Sequence, residues 1–175
     1  MSFPQANQSP EVIGKPEVEG CLKRASFLKM MEDMNSEKLS RKQLREQCFS
    51  LLYNLGFHPE EDYDAMITRC LENEGITDEE DCAYIRQRVL AVMDRQSDYD
   101  SMVDEKSAHW KSARIAKVDM AIIRLALYEM LEDDQIPVSV AINEAVRLAK
   151  KYSSDQAPAF VNGVLAAFVP ERTED

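Results

Sequence analysis

The stretch IAKVDMAIIRLALYEML, residues 115–131, is the most apolar part of the chain and decides its fold class. At about 100° per residue, its apolar side chains go most of the way round a helix instead of forming one stripe. Such a helix must be covered on nearly every side, so we predict that it is the central helix of a bundle. Its apolar residues are Ile115, Val118, Ile122, Ile123, Leu125, Ala126, Leu127, Met130 and Leu131.

Helix signals lie on both sides of this segment. Downstream, Pro137 suits the first turn of the next helix, and a Ser153–Gln156 capping box starts the last one. Upstream, capping boxes at Ser40–Gln43 and Thr77–Glu80 start two more helices, and Gly56 stops the first of them. The seven predicted helices run over about 40–56, 59–73, 77–96, 99–110, 115–131, 137–152 and 153–169.

Because no stretch alternates at period two, the predicted fold class is all-α, a bundle of about seven helices. We expect the helical domain to span residues 36–175, as two small subdomains over 36–97 and 98–175. Residues 1–35 read as an extension that is disordered or carries one short helix, because prolines and glycines punctuate the first twenty residues.

The chain carries no recognisable targeting or catalytic motif. No apolar run reaches the ~18–20 residues that cross a bilayer, and residues 1–20 do not resemble a secretion signal. The four cysteines form no CxxC pair, which indicates reduced thiols in a cytoplasmic protein. His58 and His109 are far apart, and the acidic run at 78–81 fits a helix start better than a metal site. We therefore expect no enzyme activity, no cofactor and no metal.

The net charge of −11 is distributed unevenly. Residues 57–108 hold five basic and fifteen acidic side chains, whereas residues 36–56 hold four basic and two acidic ones. The single positive segment could bind a polyanion locally, while the acidic remainder would suppress non-specific binding.

The positive charges of that segment crowd the start of the first predicted helix, at Lys38, Arg41, Lys42 and Arg45. Cations there oppose the helix dipole, by roughly 0.3–1 kcal/mol each when exposed. Bases in this position make sense if an external anion binds, because free backbone N–H groups and basic side chains then point at the same phosphate.

Helical geometry places aromatic rings beside these bases. Counting from Leu44, Arg45 falls near 100°, Phe49 near 140°, Lys42 near 160° and Tyr53 near 180°, all beside the apolar stripe. A mixed ridge of cations and aromatic faces suits single-stranded RNA. The alternative is a solvated basic face with Phe49 and Tyr53 partly buried against a neighbouring helix.

Four segments of the C-terminal half closely resemble the NusB family of bacterial transcription antitermination factors. Arg45-Glu46 with Leu52-Tyr53 is similar to that family's first helix, and Trp110 with Ile115 is similar to the lead into its central helix. The resemblance covers about residues 40–169 and is loosest over 57–108. The four segments are AIIRLALYEM (121–130), IPVSVAINEA (136–145), LAKKY (148–152) and FVNGVL (160–165).

This resemblance implies an all-helical adaptor that binds boxA-type nascent RNA together with NusE, a ribosomal protein, within an antitermination complex on RNA polymerase. By position, the family's RNA-facing residues correspond to Arg41, Lys42, Arg45, Tyr53 and Phe160. The chain departs from the family pattern at Gln43, Ser153 and Ala159, and each change removes positive charge or backbone freedom from the presumed RNA face.

Two other functions stay open. One is a protein-interaction scaffold that keeps the fold and the NusE contact, through its acidic segment, but binds RNA weakly or not at all. The other is RNA modification, since a NusB-like domain also occurs fused ahead of a ribosomal RNA methyltransferase, although the chain has no glycine-rich cofactor loop.

Overall fold

A computed structural model describes residues 38–58, 62–106 and 111–169 of the chain. These ranges hold seven α-helices, one short 3₁₀ helix at Ser112–Arg114 and no strand, so the all-α prediction is confirmed. The helices are α1 (Arg41–Leu55), α2 (Tyr63–Asn73), α3 (Glu79–Asp94), α4 (Gln96–Lys106), α5 (Lys117–Leu131), α6 (Val138–Tyr152) and α7 (Ala157–Ala166).

Helix α5 lies at the centre of the bundle, as its composition predicts. It contacts α1, α6 and α7 and, less extensively, α3 and α4. Ile122, Ile123 and Leu127 are completely buried on it, and Leu125 nearly so. Burying side chains of this size contributes roughly 1.5–3 kcal/mol each, which makes α5 the main organiser of the core.

The helix caps agree with the sequence at one position and differ at two. The Ser40–Gln43 capping box opens α1, with both reciprocal hydrogen bonds present. Helix α3 is capped by Asp78, whose carboxylate accepts from the Asp81 N–H at 3.0 Å, so the predicted box at Thr77 is wrong. The predicted Ser153–Gln156 box is also wrong, because α7 begins without a side-chain cap.

The described residues from Lys38 to Val169 form one compact unit. Helix α1 packs on both α3 and α5, and the division into subdomains 36–97 and 98–175 stays a prediction. The predicted extension at 1–35, together with His109, Trp110 and Pro170, lies outside the described residues. In the described ranges, no helix is long and apolar enough to span a membrane.

Candidate nucleic-acid interface

The N-terminal end of α1 presents cations where a helix usually carries acids. Its first turn has no acidic residue, and the side chains of Arg41 and Lys42 are exposed. Arg41 lies over the ring of Tyr84, 5.2 Å from its centroid. Among the described residues Lys42 has no ion-pair partner, so its charge is available to an anion.

These two cations border a cleft of about 390 Å³ between α1, α3 and the start of α6. The α5–α6 loop closes one side with an apolar edge, and Tyr84 supplies an aromatic wall. The cleft joins positive charge, an aromatic ring and apolar contact area in one place. Its lining residues are Arg41, Lys42, Arg45, Tyr84, Arg88, Gln135, Ile136, Pro137, Val140 and Glu144.

Lys38 lies just before α1 and is tied to α3. Its ammonium is 2.5 Å from the Glu80 carboxylate, and the hydrogen bond and charge of Glu80 raise the pKa of the lysine. The Leu39 N–H donates to Asp81 at 2.7 Å, which holds the same segment against α3. Lys38 is exposed, but a carboxylate already meets its charge, so it is a weaker candidate than Lys42.

Arg45 does not lie on an exposed ridge, and the expectation that it does is wrong. It is 7% exposed, and its Nε donates to both Glu129 oxygens at 2.8 and 3.0 Å. Its Nη1 lies 3.3 Å from Glu144. Because its side chain bridges from α1 to Glu129 on α5 and to Glu144 on α6, Arg45 is a structural residue that joins three helices.

Two partners of this ion-pair network were not predicted as functional residues. Glu129 is 2% exposed, and burial raises its pKa despite the charge of Arg45. Arg88 pairs with Asp133 and stacks on Tyr84, with its guanidinium carbon 4.2 Å from the ring centroid. The sequence does carry a signal for both, since each is a charged residue within the apolar positions of its helix.

The predicted aromatic residues differ in exposure. Phe49 is only 5% exposed, so the prediction of an open ring is wrong there and the alternative, burial against a neighbouring helix, is correct. Its ring meets that of Tyr152 on α6, with centroids 5.0 Å apart. Tyr53 and Phe160 are half-buried, and the Phe160 N–H already donates to Gln156 at 3.2 Å. Their roles in RNA binding stay predictions.

Glu46 ties α1 to the C-terminal end of α6. Its carboxylate accepts from Arg147 at 2.5 Å and from Lys151 at 2.9 Å. Burial opposes ionisation of Glu46, but these two hydrogen bonds outweigh it and hold its pKa below the ordinary value. Asp133 behaves in the same way, because its bonds to Arg88 and the Gln135 N–H outweigh burial and lower its pKa.

The lowered pKa values predict a loss of stability in acid. A carboxyl group with a lowered folded-state pKa stabilises the fold above its unfolded pKa, which for Glu46 is the ordinary 4.5. That contribution is lost as the pH falls from this value through the folded pKa. We expect the Tm of Glu46→Gln to fall less than that of the wild type between pH 6 and 3, measured by circular dichroism. The control is Glu72→Gln, which removes an exposed charge from α2. If the Tm of Glu46→Gln fell as much as that of the wild type, the stabilising role of the ionised Glu46 would be contradicted.

Comparison with known proteins identifies relatives of this chain. The model of the NusB family matches residues 42–170, which agrees with the resemblance seen over about 40–169. The transcription antitermination protein NusB of Agathobacter rectalis is 44% identical over 132 residues, covering 74% of this chain and 99% of the relative.

Two solved structures share the fold. The crystal structure of T. maritima NusB matches with a TM-score of 0.68 and 28% identity, over 74% of this chain and 90% of that one. A complex of the antitermination factors NusB and NusE with double-stranded RNA matches with a TM-score of 0.64, over 73% of this chain and 93% of that one. At 24% identity, the second likeness shows the fold alone.

Proposed function

We propose that this chain, which belongs to the NusB family, acts as a transcription antitermination adaptor that binds RNA together with a NusE partner. The observation that carries the proposal is the exposed cationic end of α1 on a chain of net charge −11. We further propose boxA-type nascent RNA as the ligand, ribosomal RNA operons as the setting and the cytoplasm as the location.

Arg41 and Lys42 are the first contacts for the RNA backbone in this proposal. Both side chains are exposed at the N-terminal end of α1, where the capping box uses the N–H groups of Ser40 and Gln43 and, among the described residues, those of Arg41 and Lys42 have no hydrogen-bond partner. Tyr84 provides ring surface for a base beside Arg41, and the half-buried Tyr53 and Phe160 are proposed to contact bases farther along the strand. The adaptor itself needs no catalytic group, and in the described ranges no cluster of His, Cys, Asp and Glu could hold a metal.

The acidic segment 57–108 supports a protein contact in the same complex. Its excess of ten negative charges would attract a basic ribosomal protein and repel RNA. RNA and partner would then bind different parts of the surface. The partner would add positive charge that this chain lacks, so the RNA is expected to bind the pair more tightly than the chain alone.

The test is an RNA titration of the purified chain, of NusE and of their complex. We expect the complex to bind a boxA-like single-stranded RNA at least about tenfold more tightly than either protein alone. The affinity should fall as salt rises, because phosphate contacts release counterions. A duplex of the same sequence, included for comparison, separates single-strand from double-strand recognition. No RNA binding by the complex at low salt would overturn the proposal.

The burial of Arg45 and Phe49 favours one alternative, a protein-only scaffold. Two of the predicted RNA contacts are already used inside the fold, which leaves a smaller cationic and aromatic surface than the sequence indicates. A scaffold would bind NusE as tightly as an RNA-binding adaptor does. It would not, however, increase the affinity of NusE for RNA. The titration above separates the two functions.

A further inference from the structure

Four aromatic rings form a continuous strip along α1 and onto the end of α6. From one end to the other they are Phe57, Tyr53, Phe49 and Tyr152, and we call them the aromatic strip. Neighbouring ring centroids are 5.1, 6.4 and 5.0 Å apart. These distances fall within the range of interacting aromatic pairs, so the rings support one another as a single surface.

The two ends of the aromatic strip are exposed, whereas Phe49 at its centre is buried and Tyr53 is half-buried. Phe57 is 48% exposed and Tyr152 is 43% exposed, which makes them two of the few large hydrophobic side chains left open in the described ranges. The core does not need these exposed faces. A flat ring of this kind, held in place by buried neighbours, is suited to stacking against another flat group.

Each exposed ring has a lysine ammonium over it. The ammonium of Lys117 lies 4.1 Å from the centroid of Phe57, and that of Lys151 lies 4.9 Å from the centroid of Tyr152. Glu46 fixes the second pair, because its carboxylate accepts from Lys151 at 2.9 Å and from the Tyr152 hydroxyl at 3.4 Å. The two ends therefore repeat one arrangement, an exposed aromatic ring with an ammonium group over it.

The aromatic strip lies on the same side of α1 as the exposed Lys42. Lys42, Phe49 and Tyr53 are separated by seven and four residues, which returns each to nearly the same helical face. At ~1.5 Å rise per residue, Lys42 and Tyr53 are on the order of 17 Å apart along the axis. That distance accommodates several nucleotides of an extended strand.

We propose that a single RNA strand continues from the cationic end of α1 along this face, stacking bases on Phe57 and Tyr152 while the exposed Lys117 contacts one of its phosphates. This inference rests on the proposed function and names residues that the family resemblance does not assign. The lysines at both ends of the aromatic strip favour RNA over a protein partner, because lysine is depleted at the centre of protein interfaces.

The test is RNA titration of the NusE complex with Phe57→Leu and Tyr152→Leu, which keep apolar bulk but remove the flat ring. We expect each variant to weaken RNA binding roughly tenfold, since base stacking on a ring has about that value. Tyr152→Phe keeps the ring and should bind like the wild type. Leu131→Ala removes an exposed side chain away from the aromatic strip and is the matched control.

Two further measurements identify stacking as the cause. With RNA containing abasic sites, the Leu variants and the wild type should bind equally, because no base remains to stack. Lys117→Ala should reduce the salt slope of log K by about 0.7, as expected for one lost phosphate contact on a single strand, whereas Phe57→Leu should leave the slope unchanged.

Three results would overturn the inference without affecting the proposed function. They are wild-type RNA affinity in both Leu variants, equal losses in the Leu131→Ala control, and weaker binding of NusE in the absence of RNA, which would make the aromatic strip a protein surface. A wild-type complex that binds no RNA would instead overturn the proposed function itself.

Discussion

Replacing Arg45 with alanine is expected to lower the free energy of unfolding by about 3–5 kcal/mol. The substitution leaves the Glu129 carboxyl group at 2% exposure without the guanidinium that donates to both of its oxygens, so the group is buried either unpaired or protonated. The nearest remaining cation, Arg88, lies 4.0 Å from Glu129 and is already paired with Asp133. Urea denaturation followed by circular dichroism measures the change directly.

Two controls separate this effect from a general loss of charge. Lys38→Ala breaks an exposed ion pair and should hardly change the unfolding midpoint. The double variant Arg45→Met, Glu129→Met removes both charges of this pair, so neither is left buried without its partner. This double variant should therefore be much more stable than Arg45→Ala. A loss below about 1 kcal/mol in Arg45→Ala would show that the buried pair does not stabilise the fold.

The double variant Arg41→Ala, Lys42→Ala is expected to weaken RNA binding by the NusE complex about ten- to hundredfold. Both side chains are exposed at a helix end that lacks acids, so their removal should leave the fold intact. Each lost phosphate contact also reduces the salt slope of log K by about 0.7 for a single strand. Fluorescence anisotropy over a range of salt concentrations gives both quantities.

The matched control is Arg69→Ala, Lys106→Ala, which removes the same charge from α2 and α4. Neither helix contributes a residue to the cleft beside α1. We expect this control to bind RNA nearly as well as the wild type, apart from a small uniform effect of net charge. Equal losses in the two double variants would mean that RNA responds to overall charge and that the end of α1 is not a site.

Much of the fold could be predicted because its signals are local. The apolar run around Ile122 and Leu125 identifies a central helix, and Ser40 with Gln43 identifies the start of α1. The predicted N-cap of α3, Thr77, lies one residue before the observed one, Asp78. Both residue types can cap a helix, and the acids at 79–81 suit the first turn equally well in either case.

The site was less predictable because burial depends on what packs against a helix. A helical wheel places Arg45 and Phe49 at the edge of the apolar stripe of α1, but it does not show that α5 and α6 both cover that edge. Glu129 then becomes the partner of Arg45 across 84 residues of sequence, a pairing that only the tertiary structure reveals. Arg41 and Lys42, one turn earlier, lie beyond this coverage and remain exposed.

The most direct test of an RNA site on α1 is photocrosslinking of a 4-thiouridine-labelled single-stranded RNA to the NusE complex, followed by mass spectrometry of the crosslinked peptides. We predict crosslinks in this chain within residues 38–58 and at the cleft wall beside Tyr84, and their loss in the Arg41→Ala, Lys42→Ala variant. Crosslinks confined to the acidic surface of α2 and α4, or found only in NusE, would contradict it.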